Sequence, residues 1–411
     1  MAATLLIAAV LPLLAWLYLL LFHGGFWRGR ERLDGAPGDF ADWPAVVAIV
    51  PARDEADVIG QAMASLLRQD YPGALTVILV DDHSEDGTAE AATAAARTTE
   101  RPERLQIHRS QDLPPGWLGK PWALSEGLRH ADSAAPESPY VWLTDADIAH
   151  DPQNLRRLVA KAEAEDLDQV SQMVILRSEG FWARLLIPAF VFFFQKLYPF
   201  AWINDRRRDL AGAAGGCVLL RRRALAAAGG FEVIKDALID DCTLARAIAD
   251  RGRPGGGRLF LGLTDAAESL RPYEGLGGVW RMVARSAYTQ LRHSPLLLLG
   301  TLLGMALVYL LAPVVALAFP WHGAAGPALL GLLTWAMMAG AFLPTLRLYR
   351  QPRAFALLLP LAGLLYAAMT LNSALAHWRG RGGAWKGRVQ APADAQARPQ
   401  AHEVEQGPRG L

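Results

Sequence analysis

Two aspartates, Asp145 and Asp147, close the apolar run VWLTDAD at residues 141–147, with only Ala146 between them. In an extended chain, residues two apart project to the same side, so both carboxylates can converge on one hard cation. Two such ligands completed by substrate phosphates suit Mg²⁺, which dehydrates reluctantly. The pair alone is weak: with 40 acidic residues in 411, chance supplies about four Asp/Glu-x-Asp/Glu pairs. Other charged residues extend the set: Arg53-Asp54-Glu55 after Pro51, then Asp82, Lys120 and the pair Asp240-Asp241. Lys120 stands at a predicted helix start, where the dipole disfavours a cation, which argues for a phosphate contact. Plain structural roles compete: Asp54 as a helix cap, and Asp240-Asp241 as first-turn acids that the dipole favours.

Elements must bring these residues together. Apolar runs at 45–50, 75–80, 105–108 and 140–144 read as strands, separated by helical stretches at 56–68, 85–98 and 120–130. That alternation predicts a parallel sheet covered by helices, which binds ligands at the carboxyl ends of its strands. The clusters Arg53-Asp54-Glu55, Asp81-Asp82 and Asp145–Asp147 fall at those ends. A helix at 152–165, a strand at 169–176, a Gly-rich turn and short strand at 211–223, a helix at 236–251 and a strand at 258–263 complete the domain.

Hydrophobic residues make up 52% of the chain and mean hydropathy is +0.16, which points to membrane segments joined to a soluble part. A net charge of +1 gives no nucleic-acid footprint. Cys217 and Cys242 do not make a disulfide framework and read as packed, reduced thiols. His83, His150 and His293 lack partners at metal spacing and read as surface or supporting residues.

Residues 5–22 are apolar and uncharged; Arg28, Arg30 and Arg32 follow, with Trp27 as an interface anchor. This predicts an uncleaved anchor with the next domain in the cytoplasm. Residues 181–203 are rich in aromatics but carry Arg184, Lys196, Pro188 and Pro199, which predicts a membrane-interface segment or lipid groove, with a short span or a buried core helix as the alternatives. Residues 280–292 set Trp280, Val283 and Tyr288 against Arg281, Arg285 and Arg292, as in a helix on an anionic membrane face. The stretches 296–319, 328–346 and 355–376 are each long enough to span. Three later spans, however, put Arg379, Arg381, Lys386 and Arg388 outside, against the charge rule, unless one stretch is re-entrant. The tail from Val389 is expected to be disordered.

The ordered blocks PARDEADVI, VDDHSEDGT, GKPWAL, TDAD, GGCVLLRR and IDDCTLA resemble family 2 glycosyltransferases of the GT-A fold, over about residues 45–290. The blocks LLFHGGFW, LLIPAFVFFFQKLYPF, AGAAGGC, LIDDC and MVARSAYTQLRHSPLLL resemble the membrane-bound hopene-associated glycosyltransferases of hopanoid gene clusters. The resemblance implies an α/β, Rossmann-like GT-A domain with one N-terminal and about three C-terminal transmembrane helices. It implies Mg²⁺ or Mn²⁺ on Asp147, with Asp145 beside it. Asp241 matches the family's base, and Asp240 stands where Glu is common. Asp82 and Asp54 match positions near the nucleoside, where acidic groups accept hydrogen bonds from ribose or base. Pro51, Arg53, Glu55, Lys120 and Asp145 complete the implied donor site. One departure stands out. In place of the family's Gln-x-x-Arg-Trp block this chain has 282–286, MVARS, where only Arg285 matches. Arg281 and Arg285, one helical turn apart, can jointly face a diphosphate. The missing aromatic wall argues against a processive polysaccharide synthase.

The expected organisation is an anchor at 1–27, a linker at 28–44, the GT-A domain at 45–278, an interfacial helix at 279–294, transmembrane helices at 295–378 and a basic tail at 379–411. The expected function is transfer of a sugar from a nucleotide-sugar donor, UDP-linked, to a membrane lipid such as a hopanoid. The expected setting is a multi-pass inner-membrane protein with its catalytic domain in the cytoplasm. Alternatives are polyprenyl phosphate, ceramide or carotenoid as acceptor, or a non-catalytic scaffold of lipid biosynthesis.

Overall fold

Eight strands form one mixed sheet: β1 Val46–Ala52, β2 Leu75–Asp81, β3 Leu105–Arg109, β4 Tyr140–Thr144, β5 Ile148–His150, β6 Gln169–Ile175, β7 Cys217–Arg221 and β8 Leu259–Ser269. Their order is β3-β2-β1-β4-β7-β6-β8-β5. The computed structural model describes residues 2–33, 40, 42–380, 384–385 and 388–389. Most of the tail expected to be disordered, and part of the linker, lie outside these residues.

All seven residues of β1 are buried, as a strand covered on both faces requires. Successive side chains alternate between faces. Val47 and Ile49 join a core with Ala123 and Leu124 of helix Gly119–Ala134, while Val46, Ala48 and Val50 pack with helix Ile59–Leu67. The first of these cores runs on without a break into the apolar helices.

The sheet is parallel only in part. β3, β2, β1 and β4 run parallel, whereas β7 is antiparallel to both β4 and β6, and β5 is antiparallel to β8. The expected parallel sheet is corrected here, and the path of the chain explains why. Residues 180–203 leave β6 at the edge where the polar loops emerge, and β7 re-enters from that same edge, pairing Cys217 with Thr144. A strand entering from that edge must oppose its neighbours.

Two helices are shorter than expected because loops hold their first residues. The N–H groups of Asp54, Glu55 and Ala56 donate to Ser84 Oγ at 3.0 Å, Thr88 Oγ1 at 2.9 Å and Asp86 Oδ2 at 2.9 Å. The loops after β1 and β2 thus brace each other, and the helices begin only at Ile59 and Thr88. The expected interfacial helix is two pieces, Gly275–Ala284 and Ala287–Gln290.

Among the described residues, five helices are long and apolar enough to cross a membrane: Ala3–Leu21, Gly180–Ile203, Pro295–Leu317, Ala325–Leu348 and Arg353–Trp378. The first is tied to the third where Trp16 Nε1 donates to the Val308 carbonyl at 2.7 Å, within a π-helical turn at Ala306–Leu310. Such turns open the helical hydrogen-bond ladder locally.

Helix Gly119–Ala134 lies so close to the sheet that a Cβ on Gly127 would stand 2.3 Å from Ile49 Cγ2. Gly127→Ala is expected to destabilise the fold by about 1–3 kcal/mol, the usual cost of overpacking a tight core. A lowered thermal midpoint of the detergent-solubilised protein checks this.

Candidate active site

The strand ends deliver the acids and two helix starts deliver the rest. Lys120, second residue of helix Gly119–Ala134, places its Nζ 2.9 Å from Asp145 Oδ1 and 3.2 Å from Asp240 Oδ2. Asp240 and Asp241 open helix Asp240–Arg251, whose dipole favours acids there. Asp241 Oδ2 accepts the Gly215 N–H at 2.9 Å, and its Oδ1 accepts the Cys242 N–H at 2.7 Å. Glycine at 215 makes room for this contact, since a Cβ there would stand 3.2 Å from the Asp241 Cβ and push that side chain aside. Pro51, Lys120, Asp145, Gly215, Asp240 and Asp241 line one cleft.

Electrostatics differ among the acids. Burial and the neighbouring Asp240 push the Asp241 carboxyl up to about 6, against the pull of Lys120 and its two backbone N–H donors. Burial also raises Asp145, with Lys120 opposing. Burial would lower the Lys120 ammonium, but the Asp145 and Asp240 carboxylates outweigh it and hold its pKa above the usual range. A carboxyl that titrates near neutrality beside fixed charges is suited to proton transfer.

Asp147 is held differently. Its Oδ2 accepts Ser269 Oγ at 3.1 Å and Arg271 Nε at 3.1 Å. Arg271 also reaches Glu55 at 2.6 Å, so one guanidinium joins the ends of β1, β4 and β8. Among the described residues, Asp145 Oδ2 and Asp147 Oδ1 have no protein hydrogen bond. One free oxygen on each of two neighbouring carboxylates fits a six-coordinate divalent ion completed by phosphate oxygens and water. No group of three or more His, Cys, Asp or Glu side chains poised for a metal occurs among the described residues, so an all-protein cage is not on offer.

The remaining expected residues lie around this centre. Asp82 is 1% exposed; it is held by Arg53, whose Nη1 lies 2.8 Å from the Asp82 carbonyl, and by Ser110 Oγ at 3.3 Å. Asp54, with φ of 50°, accepts the Glu85 N–H at 3.0 Å and so braces a loop instead of capping a helix. Arg281 and Arg285 are exposed and form no ion pair among the described residues. His150 supports the site from below: burial lowers its pKa to about 3, and the neutral ring bonds Thr144 Oγ1 at 2.8 Å and Asn154 Nδ2 at 3.1 Å.

Arg271, Ser269, Tyr198 and Gln290 escaped the sequence reading. Gln290 Nε2 donates to the Tyr198 hydroxyl at 2.7 Å, and Tyr198 lies against Cys242, next to Asp241. For Arg271 a signal existed: a charged RPY triplet follows a strand, as at the other strand ends. For Tyr198 and Gln290 there was none, because they meet only through the fold.

Residues 47–229 match the family described as glycosyl transferase family 2. Over 161 residues the chain is 30% identical to the succinoglycan biosynthesis protein ExoO of Rhizobium meliloti (strain 1021), a match taking in 36% of this chain and 42% of that protein. The chain therefore spans less than half the length of that curated relative. The mannosyltransferase PcManGT from Pyrobaculum calidifontis, solved in complex with GDP-Man and Mn²⁺, superposes with a TM-score of 0.52 at 22% identity, covering 92% of this chain and 97% of that one. That likeness shows a shared fold. Residues 47–229, which hold Lys120 and the Asp145–Asp147 turn, are thus similar to glycosyl transferase family 2 domains, and the sheet that they help to form has the GT-A fold.

Proposed function

We propose that the protein is a membrane-bound inverting glycosyltransferase that moves a sugar from a nucleotide-sugar donor, UDP-linked, to a membrane lipid, a hopanoid. The observation that carries this reading is the single cleft in which Lys120 joins Asp145 to Asp240, with Asp241 beside them. Asp145 belongs to the donor side and Asp241 to the acceptor side. Asp241 takes the proton of the acceptor hydroxyl as that oxygen bonds to the anomeric carbon. The bond from that carbon to the diphosphate breaks, and attack from the opposite face inverts the centre. A positioned base of this kind contributes roughly 10²–10⁴-fold. A Mg²⁺ or Mn²⁺ on Asp147 and Asp145 would supply positive charge for the leaving diphosphate. Lys120 opposes the rise that burial imposes on the Asp145 and Asp241 carboxyls, and Arg281 and Arg285 attract the diphosphate from the exposed side.

A lipid acceptor is supported by the company Asp241 keeps. Tyr198 and Gln290, beside its helix, belong to the apolar segments whose motifs resemble hopanoid-cluster enzymes. His23, from another of those motifs, bonds the Lys196 carbonyl at 2.8 Å, so these blocks converge on one region. A second reading has its own observation. The Lys196 ammonium lies 4.5 Å from the Tyr309 ring and 5.6 Å from that of Phe193, and it has no carboxylate partner among the described residues. A cation in apolar surroundings suits an anionic lipid such as a polyprenyl phosphate.

Purified protein offered UDP-hexoses and GDP-mannose with hopanoid or polyprenyl phosphate in vesicles separates these readings. Transfer to hopanoid supports the first, transfer to polyprenyl phosphate alone supports the second, and donor binding without turnover supports a scaffold. Asp241→Asn is expected to bind donor normally and to lose transfer by at least about 10²-fold; near wild-type turnover would remove Asp241 as the base. EDTA is expected to weaken nucleotide binding measured by calorimetry, and unchanged affinity would exclude the metal role.

The pH profile has a definite sign. Asp241 must be ionised to accept a proton, so transfer falls as pH drops through about 6. Because the Asp240 charge helps raise Asp241, Asp240→Asn is expected to move that midpoint to lower pH. Initial rates across roughly pH 4.5 to 8 test the shift.

A further inference from the structure

We infer that the last apolar helix, Leu359–Trp378, does not cross the bilayer but lies along its catalytic-side surface beneath the cleft, its outer face in lipid. The inference rests on the membrane-bound reading above. Length and hydropathy would let residues 353–378 span. A spanning helix, however, must leave one end on the far side of a core about 30 Å thick.

Both ends of this helix are fastened to the catalytic side. Just before it, the Leu176 N–H at the end of β6 donates to the Tyr349 hydroxyl at 3.3 Å, and Gln351 Nε2 donates to Ser178 Oγ at 3.1 Å. Phe355 meets Phe181 with ring centroids 5.9 Å apart. At the other end, Trp280 Nε1 donates to Asn372 Oδ1 at 2.9 Å and the Tyr288 N–H to Ser373 Oγ at 3.1 Å. His377 stacks on His293 at 4.2 Å. Residues 280–293 are themselves at cleft level, since Gln290 bonds Tyr198 beside Cys242.

The middle of the helix agrees. The Tyr366 hydroxyl donates to the Leu186 carbonyl at 3.0 Å, and its ring meets Phe193 at 5.0 Å. Both partners belong to helix Gly180–Leu197, which leaves β6 and returns to β7 of the same sheet edge, so it too stays on one side. Leu361, Leu364 and Leu371 are exposed at spacings that make one stripe, while Gly363, Tyr366 and Ser373 are buried against protein. The stripe is the face for acyl chains.

The chain then crosses three times, at residues 3–21, 295–317 and 325–348. The tail with Arg379, Arg381, Lys386 and Arg388 stays on the catalytic side, where anionic headgroups attract basic residues. The charge conflict in the sequence disappears.

The test fuses alkaline phosphatase or green fluorescent protein after Leu411 of the full chain in a bacterial inner membrane. Trp321→Cys, 86% exposed between the last two crossings, serves as the outside reference, labelled by an impermeant maleimide in intact cells. The expected result is fluorescence without phosphatase activity at the tail, with labelling at 321. Phosphatase activity after Leu411 overturns the inference. A carbonate wash distinguishes the two readings: protein released by it overturns the membrane-bound reading, and with it this one, whereas retained protein with an active phosphatase overturns this one alone.

Discussion

The site depends on one ammonium. Lys120 sits between Asp145 and Asp240, at 2.9 and 3.2 Å, and without it the three carboxylates of Asp145, Asp240 and Asp241 would face one another across a cleft. Buried like charges resist ionisation, and the raised Asp241 and Asp145 carboxyls show that pressure. The helix that carries Lys120 points its positive end at the same place, which would be a poor setting for a cation alone. Two acids offset that cost. The arrangement therefore stands or falls as a unit: the acids need the lysine, and the lysine needs the acids.

Backbone packing fixes that unit. Gly127 lets helix Gly119–Ala134 approach β1 closely enough to set Lys120 at the strand ends, and Gly215 lets a backbone N–H reach the Asp241 carboxylate. Arg271 does the same for Asp147 from the end of β8, and its hold on Glu55 draws β1 into the network. Beneath the cleft, the apolar helices form one hydrophobic core with the sheet face that carries Val47 and Ile49. The sheet and the apolar helices are thus one packed body around the site.

Much of this was legible in the residues, for physical reasons. Buried strands announce themselves as continuous apolar runs, and a change from Leu-Thr to Asp-Ala-Asp marks where a strand meets solvent. Asp240-Asp241 could be read because first-turn acids are favoured by the dipole, and the cleft gives them company as well. The direction of β7 was not legible, because it depends on residues 180–203 lying at one sheet edge. The signal at Arg271, a charged triplet after a strand, becomes visible only once β8 is known to run to Ser269 and not to 263. The bond between Gln290 and Tyr198 joins residues 92 apart, and no local pattern encodes it. For Asp54 the competing role as a helix cap is removed by structure that no local pattern shows, since the loops after β1 and β2 claim its N–H and carboxylate.

A double-mutant cycle between Lys120 and Asp240, read as kcat/KM for sugar transfer with Lys120→Met, Asp240→Asn and the pair, tests the shared-ammonium account most directly. The account predicts strong non-additivity, a coupling on the order of 1–3 kcal/mol, because Lys120→Met leaves the Asp240 carboxylate without its ammonium while Asp240→Asn removes one of the two acids that hold Lys120. Additive losses within about 0.3–0.5 kcal/mol would contradict it, and would mean that Lys120 and Asp240 act independently.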